Sequence, residues 1–316
     1  MRALSPIFRK KRYLSLLAAV CFCLGMIWVV RSGILSKRPP KPLRPLVLQY
    51  SYTLKNTTSR PVCGVQFQAA APVKQTATQR CQRIQSNRDL RISSDRFGNQ
   101  TLHFDNLDFA PRAVKVITVK AHLLIASEPQ PGNRQIEAAY LAPEKFIECD
   151  HPDIRRLAAR LENHRPLDTA KAFFRWVRGG IRYTGYTKTR RGAFFTLRRQ
   201  RGDCTGQADL FTALCRACEI PARSLAGYIC PRSMVLDPRQ YHNWSEFYVN
   251  GTWHLADPQA GIFLERQSDY IAMRIMGPSV GYGKREESGF DKFALRAGSI
   301  EVRMNIRPSA ASGRSV

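Results

Sequence analysis

The chain has 316 residues, 44% of them hydrophobic and 23% charged, with a formal net charge of +26. That balance excludes a chain disordered throughout and suits two modest globular domains. The positive excess runs along the whole sequence and points to anionic partners such as lipid headgroups, acidic polymers or acidic substrates; nucleic acid is disfavoured because no nucleic-acid-binding motif accompanies it.

A basic segment, 1–12, precedes the uncharged run Tyr13–Val30. Its length suits a single helical crossing of a bilayer. The flank Arg9-Lys10-Lys11-Arg12 makes it a signal peptide or signal anchor, and the lack of a clean small-x-small cleavage site favours the uncleaved anchor. Arg31, Lys37, Arg38, Lys41 and Arg44 put comparable charge on the far side. The short terminus and the long chain that follows still favour an N-inside orientation, with the rest outside the cytoplasm. Residues 31–45, with Pro39-Pro40-Lys41-Pro42, read as a stiff basic spacer.

From residue 46 apolar side chains alternate. Leu46, Leu48, Tyr50, Tyr52 and Leu54 share one strand face, and Ile117, Val119, Ala121 and Leu123 another. Residues 46–126 are expected to form a small β-sandwich, with a turn at Phe97-Gly98-Asn99. A linker over 127–140 leads to a second domain, 141–306, and the Ser/Ala/Gly-rich 307–316 reads as a flexible tail. In the second domain Pro152 starts a helix with Ile154, Leu157, Ala158 and Leu161 on its apolar face. Another helix runs from near Asp168 to Gly179-Gly180, and Ile300–Ile306 looks like a final strand.

The densest chemistry follows. In Gly202-Asp203-Cys204-Thr205-Gly206, Asp203 is a plausible N-cap, and Ala208, Leu210, Phe211, Leu214 and Ala217 continue at near-helical spacing to Ile220-Pro221. Cys204 then lies in the first helical turn, among free backbone N–H groups and the positive end of the helix dipole. Downstream, His242–Val249 and Thr252–Asp257 flank Asn250-Gly251, the signature of a two-residue type I′ hairpin. That turn pairs Val249 with Thr252 and, counting back, Trp244 with Asp257. His242 and Asp257 then lie diagonally on one face, about 7–8 Å apart at Cα. Asn243 and His254 fall on the opposite face, away from the pair. A thiolate attacks carbonyls, an imidazole removes the thiol proton, and a carboxylate orients the imidazole. The backbone N–H of Cys204 is the first oxyanion donor, with Tyr183 or Trp176 as second-donor candidates. Trp244 and Trp253 either wall the cleft or pack the core.

The run from Gly202 to Arg223 resembles the nucleophile segment of the transglutaminase-like superfamily. His242-Asn243-Trp244-Ser245-Glu246-Phe247-Tyr248-Val249, with Trp253 and Asp257-Pro258, resembles its histidine and aspartate strands. The likeness spans about 150 to 275, and Asn243 departs from the alanine that often follows the histidine. It implies an α+β, papain-like transglutaminase core; with the β-sandwich and the N-terminal transmembrane helix read above, the expected whole is a bacterial inner-membrane protein. Cys204 is then the nucleophile, His242 the base and Asp257 the orienting acid, acting on a protein or peptide amide. Hydrolysis is slightly favoured over transfer to an amine, and an inactive interaction module with a basic surface is the remaining alternative. No ATP, nicotinamide or metal motif is present, so no cofactor and no metal are expected. Cys215 and Cys218 read as small apolar packing groups. Cys63 and Cys81 are a candidate disulfide if their domain lies outside the cytoplasm.

Overall fold

The computed structural model describes residues 42–131, 138–187, 189–277, 293–296 and 299–304. The expected membrane run Tyr13–Val30, most of the basic spacer and the tail lie outside the described residues. Among the described residues, no helix is long and apolar enough to cross a membrane.

Six strands come first: β1 (Arg44–Asn56), β2 (Val62–Ala71), β3 (Gln79–Ser86), β4 (Arg91–Ser94), β5 (Gln100–Phe109) and β6 (Val114–Ile125). β1 and β6 pair antiparallel, setting Leu46 against Leu123, Leu48 against Ala121, Tyr50 against Val119 and Tyr52 against Ile117. Every member of both expected apolar faces is buried, because side chains two apart on a strand share a face. β2 and β5 bring Phe67, Phe104 and Phe109 against them from a second sheet. At the β4–β5 turn Gly98 has φ +81, and Asp95 Oδ1 accepts from the N–H groups of Phe97 and Asn99, both at 2.9 Å.

The helical part opens with α1 (Pro152–Leu161) and α2 (Pro166–Gly180). Each has a proline in its first turn, where its missing N–H costs nothing. α2 therefore begins slightly before the expected Asp168. Then come β7 (Arg182–Tyr183), α3 (Ala193–Arg199), β8 (Arg201–Gly202) and α4 (Cys204–Ala217). α3 was not foreseen. Its first N–H groups, on Ala193 and Phe194, donate to the Glu148 carboxylate at 2.9 and 3.2 Å, so its cap comes from a distant part of the chain. The remaining strands are β9 (Ala222–Ile229), β10 (Met234–Val235), β11 (His242–Val249), β12 (Thr252–Asp257), β13 (Ile262–Phe263), β14 (Tyr270–Met276), β15 (Phe293–Arg296) and β16 (Ile300–Met304).

A five-stranded sheet in the order β13-β12-β11-β9-β14 carries the helices. α4 packs on one face through Phe211 against Phe247, their ring centroids 5.8 Å apart. The other face buries Trp244, Trp253, Leu255 and Tyr270 with Val73 and Tyr140. The molecule is thus α+β, with two β-sheets preceding the helix-bearing one. The final strand, β16, pairs with β1, β15 pairs with β2, and β10 pairs with β1. Tyr228, Cys230, Ile271 and Met273 share a core with the β1–β6 sandwich.

Cys63 and Cys81 are free thiols. They lie on β2 and β3, which belong to different sheets, and Cys63 is exposed, so the candidate disulfide is not formed. Cys215 is buried in the helical core and Cys218 packs against it.

Candidate active site

The hairpin follows the sequence count. β11 and β12 pair Val249 with Thr252 through to Ser245 with Ala256, and Asn250 and Gly251 take φ 53 and 82. His242 Nε2 and Asp257 Oδ2 are 2.6 Å apart. Asp257 is fully buried; Tyr270 donates its hydroxyl to Oδ2 at 2.8 Å, and the Ala260 N–H donates to Oδ1 at 3.0 Å. Three donors fix this carboxylate. Tyr270 is the residue that the sequence reading missed: nothing local marks a tyrosine on a distant strand as a partner of Asp257.

α4 starts at Cys204, the nucleophile expected from the sequence. Asp203 caps it, Oδ1 accepting from Gly206 N–H at 2.9 Å, while Oδ2 accepts from the N–H and hydroxyl of Thr187 at 3.2 and 2.7 Å. These bonds occupy the Asp203 charge beside the sulfur. Gly206 N–H is consumed by the cap, whereas the N–H of Cys204, at the first helical position, has no intrahelical acceptor. Further along, Asp209 is buried and bound by Arg190 Nε and Nη2 at 2.8 and 2.6 Å, which ties the loop before α3 to the helix. Thr212, Ser224 and Ser245 continue this polar contact beneath the sheet.

Burial alone would lower the His242 pKa, but hydrogen bonds to Asp257 and Cys204, and the charges of both, raise it to about 9. The imidazole therefore holds a proton more tightly than an ordinary histidine and lies within interaction range of the thiol. Its Nε2 is engaged by Asp257, which leaves Nδ1 for the sulfur side.

Asn243 corrects the strand-alternation argument. It does occupy the opposite face from His242, but α4 packs on that face. Cys204 Sγ consequently donates to Asn243 Oδ1 at 3.9 Å, and the Thr205 hydroxyl donates to the same oxygen at 3.2 Å. His254 sits on that face too, its ring 5.6 Å from Phe247, and burial lowers its pKa.

The oxyanion candidates separate. Tyr183 pairs in register with Gly202 and is 50% exposed. Burial raises its pKa, with further increments from the charges of Cys204 and Asp203. Trp176 is half-buried and packs against the helical core; among the described residues no contact ties it to the thiol. Trp244 is 1% exposed, nearly parallel to His242 at 6.5 Å and edge-on to Tyr270 at 5.2 Å. It supports the imidazole from the core and does not wall an open cleft.

The model of the transglutaminase-like superfamily matches residues 155–258. Among solved structures, a protein of Cytophaga hutchinsonii described as a candidate cysteine protease aligns with 83% of this chain and 92% of its own, at 16% identity and TM-score 0.51. That likeness is one of fold. The periplasmic domain of TgpA from Pseudomonas aeruginosa aligns with 72% of this chain and 85% of its own, at 16% identity and TM-score 0.36. Red sea bream transglutaminase aligns with 71% of this chain and 49% of its own, at 12% identity and TM-score 0.28. No curated protein matches the sequence. With the helix that starts at Cys204 and the strands that carry His242 and Asp257 inside the matched segment, residues 155–258 of this chain belong to the transglutaminase-like superfamily.

Proposed function

We propose that the protein is a thiol enzyme that takes an acyl group from a peptide or protein amide onto Cys204 and passes it to water. The observation that carries this reading is the 2.6 Å bond between His242 and buried Asp257, with the Cys204 thiol coupled to the same imidazole. His242 takes the thiol proton, and the Cys204 sulfur attacks the amide carbonyl carbon, forming a C–S bond as the C–O π pair moves onto oxygen. The oxyanion is held by the Cys204 N–H and the Tyr183 hydroxyl. His242 gives its proton to the leaving nitrogen as the C–N bond breaks, releasing an amine and leaving a thioester. Water then attacks the thioester as His242 takes one of its protons; the C–S bond breaks, His242 returns that proton to the sulfur, and the acid and the free thiol emerge. Asp257 orients the imidazole and remains ionised throughout.

An amine acceptor in place of water would make the same thioester cross-link proteins. Hydrolysis is preferred in keeping with the fold similarity to the Cytophaga hutchinsonii protein described as a candidate cysteine protease. The test is labelling by a peptide vinyl sulfone, followed by mass spectrometry. Modification of Cys204, lost in Cys204→Ala and strongly slowed in His242→Ala, supports the enzyme. An unlabelled, folded wild-type protein would leave the interaction-module reading standing.

The location proposed from Tyr13–Val30 is a bacterial inner membrane, with the thiol domain outside the cytoplasm. The full chain is expected to stay with membranes through high-salt extraction, because apolar burial is insensitive to salt. Protease added to outer-membrane-permeabilised cells is expected to digest the domain after Leu46. Protection there until the inner membrane is lysed would reverse the orientation.

A further inference from the structure

Two arginines stand side by side on the short ladder that leads into Cys204. β7 and β8 form a two-stranded parallel ladder that pairs Arg182 with Arg201 and then Tyr183 with Gly202, two residues before Cys204. Both guanidinium-bearing residues are exposed, and like charges directly opposite each other on a ladder repel. The acidic groups of this neighbourhood are already engaged. Asp203 caps α4, Asp209 is bound by Arg190, and Glu148 caps α3. Among the described residues neither Arg182 nor Arg201 forms an ion pair. The positive surface continues through Arg191 and Arg199, whose guanidinium carbons lie 4.8 and 6.0 Å from the Phe195 ring centroid. Stacking of this kind lowers the entropy lost when an arginine binds an anion. Two large exposed side chains, Tyr183 at 50% and Tyr186 at 80%, border the same segment.

The geometry points to an acidic peptide as the substrate of this site, its carboxylates held by Arg182 and Arg201 and its apolar atoms laid on Tyr183 and Tyr186. The inference rests on the thiol-enzyme reading above. The alternative anion source, a lipid headgroup, is less well served. The charge pair is one register step from Tyr183 and three residues from the nucleophile, where a peptide amide has to lie and a bilayer surface would block it.

Three tetrapeptide vinyl sulfones, carrying glutamate, serine or lysine beside a common reactive end, are reacted with the full-length protein in neutral detergent at low salt. The rate of Cys204 modification is read by mass spectrometry. The glutamate probe is expected to react about tenfold faster than the serine probe, the effect of two exposed ion pairs within their usual range. The advantage is expected to vanish at high salt. In Arg182→Ala/Arg201→Ala the ratio of the two rates should fall toward one. In Arg182→Glu/Arg201→Glu the lysine probe should become the faster, an inversion that misfolding does not produce. Arg83→Ala/Arg88→Ala, with the same charge change on the sandwich, should keep the wild-type ratio. Equal rates for the three probes on wild-type protein would overturn the proposal while leaving the enzyme intact. An equal loss in the Arg83/Arg88 control would reduce it to overall charge. No labelling by any probe would defeat the enzyme reading instead, and binding of a fluorescent hexaglutamate, by anisotropy, would then still decide on the surface. Binding to phosphatidylglycerol vesicles lost in Arg182→Ala/Arg201→Ala, without any preference among the peptides, would assign the pair to the membrane.

Discussion

Tyr270 and His242 share one oxygen of Asp257, the tyrosine hydroxyl at 2.8 Å and the imidazole Nε2 at 2.6 Å. The hydroxyl restrains the same carboxylate oxygen that the imidazole uses. Tyr270→Phe keeps the ring on Trp244 and removes only that restraint. The turnover number is expected to fall about tenfold, the usual size for one hydrogen bond to a charged group, with KM unchanged. A rise in KM with normal turnover would assign Tyr270 to substrate binding.

His242 sets the pH response. Its folded pKa of about 9 lies above the 6.5 of an ordinary imidazole. The stabilisation linked to its proton is therefore complete below 6.5 and is lost as pH rises through 9. The same proton is needed by the leaving amine, so acylation is expected to decline above about pH 9. In Asp257→Asn two of the groups that raise the value, the carboxylate charge and its hydrogen bond, are lost or weakened. The descending limb should move toward 6.5, and the melting temperature should lose most of its pH dependence in that window. Profiles of kcat/KM and a thermal-melt series check both; an unmoved limb would mean that another group carries the proton.

Asn243 presents an acceptor to the Cys204 sulfur, since its Nδ2 is committed to the Leu225 carbonyl at 3.3 Å. An acceptor there holds the thiol's S–H. Asn243→Ala is expected to speed iodoacetamide labelling of Cys204, because the contact that restrains the sulfur is gone. Slower labelling would show that Asn243 places the sulfur and does not restrain it.

What could be read from the chain follows a physical division. The hairpin was legible because Asn250-Gly251 sets the register and every later pairing is arithmetic. The N-cap at Asp203 and the buried faces of β1 and β6 are equally local signals. What stayed hidden depends on contacts between distant segments. α3 needs Glu148 at its start, and Asp257 needs Tyr270 from another strand. Asn243 meets Cys204 because of which sheet face the helix chose, a fact that strand alternation does not contain.

Tyr183 is the side-chain donor proposed for the oxyanion. It sits opposite Gly202 on a short ladder and feels the charge of Cys204. Tyr183→Phe is expected to slow acylation about a hundredfold, the loss typical of one oxyanion donor, while iodoacetamide, which forms no oxyanion, should label Cys204 at the wild-type rate. An equal slowing of both reagents would instead place Tyr183 among the groups that set the thiol's reactivity.

Gly227 holds the sheet together where the site is built. It pairs with His242 on one side and Ala272 on the other, next to the irregularity between Ala272 and Arg274 in β14. A Cβ there would lie 2.0 Å from the Ile271 carbonyl oxygen, 2.9 Å from Met273 N and 3.0 Å from Trp244 Cη2. Two of the three are backbone atoms, so β14 has to move away and take Tyr270 with it. Gly227→Ala is expected to cost about 3 kcal/mol, the upper end for overpacking a core. Gly251→Ala has no atom within 4 Å of the new Cβ but a φ of +82, and is expected to cost about 1 kcal/mol from backbone strain alone. Urea denaturation of the two variants measures the difference. Equal losses would mean that β14 yields freely, and the tight placement of Asp257 between His242 and Tyr270 would then have to be maintained from the hairpin side.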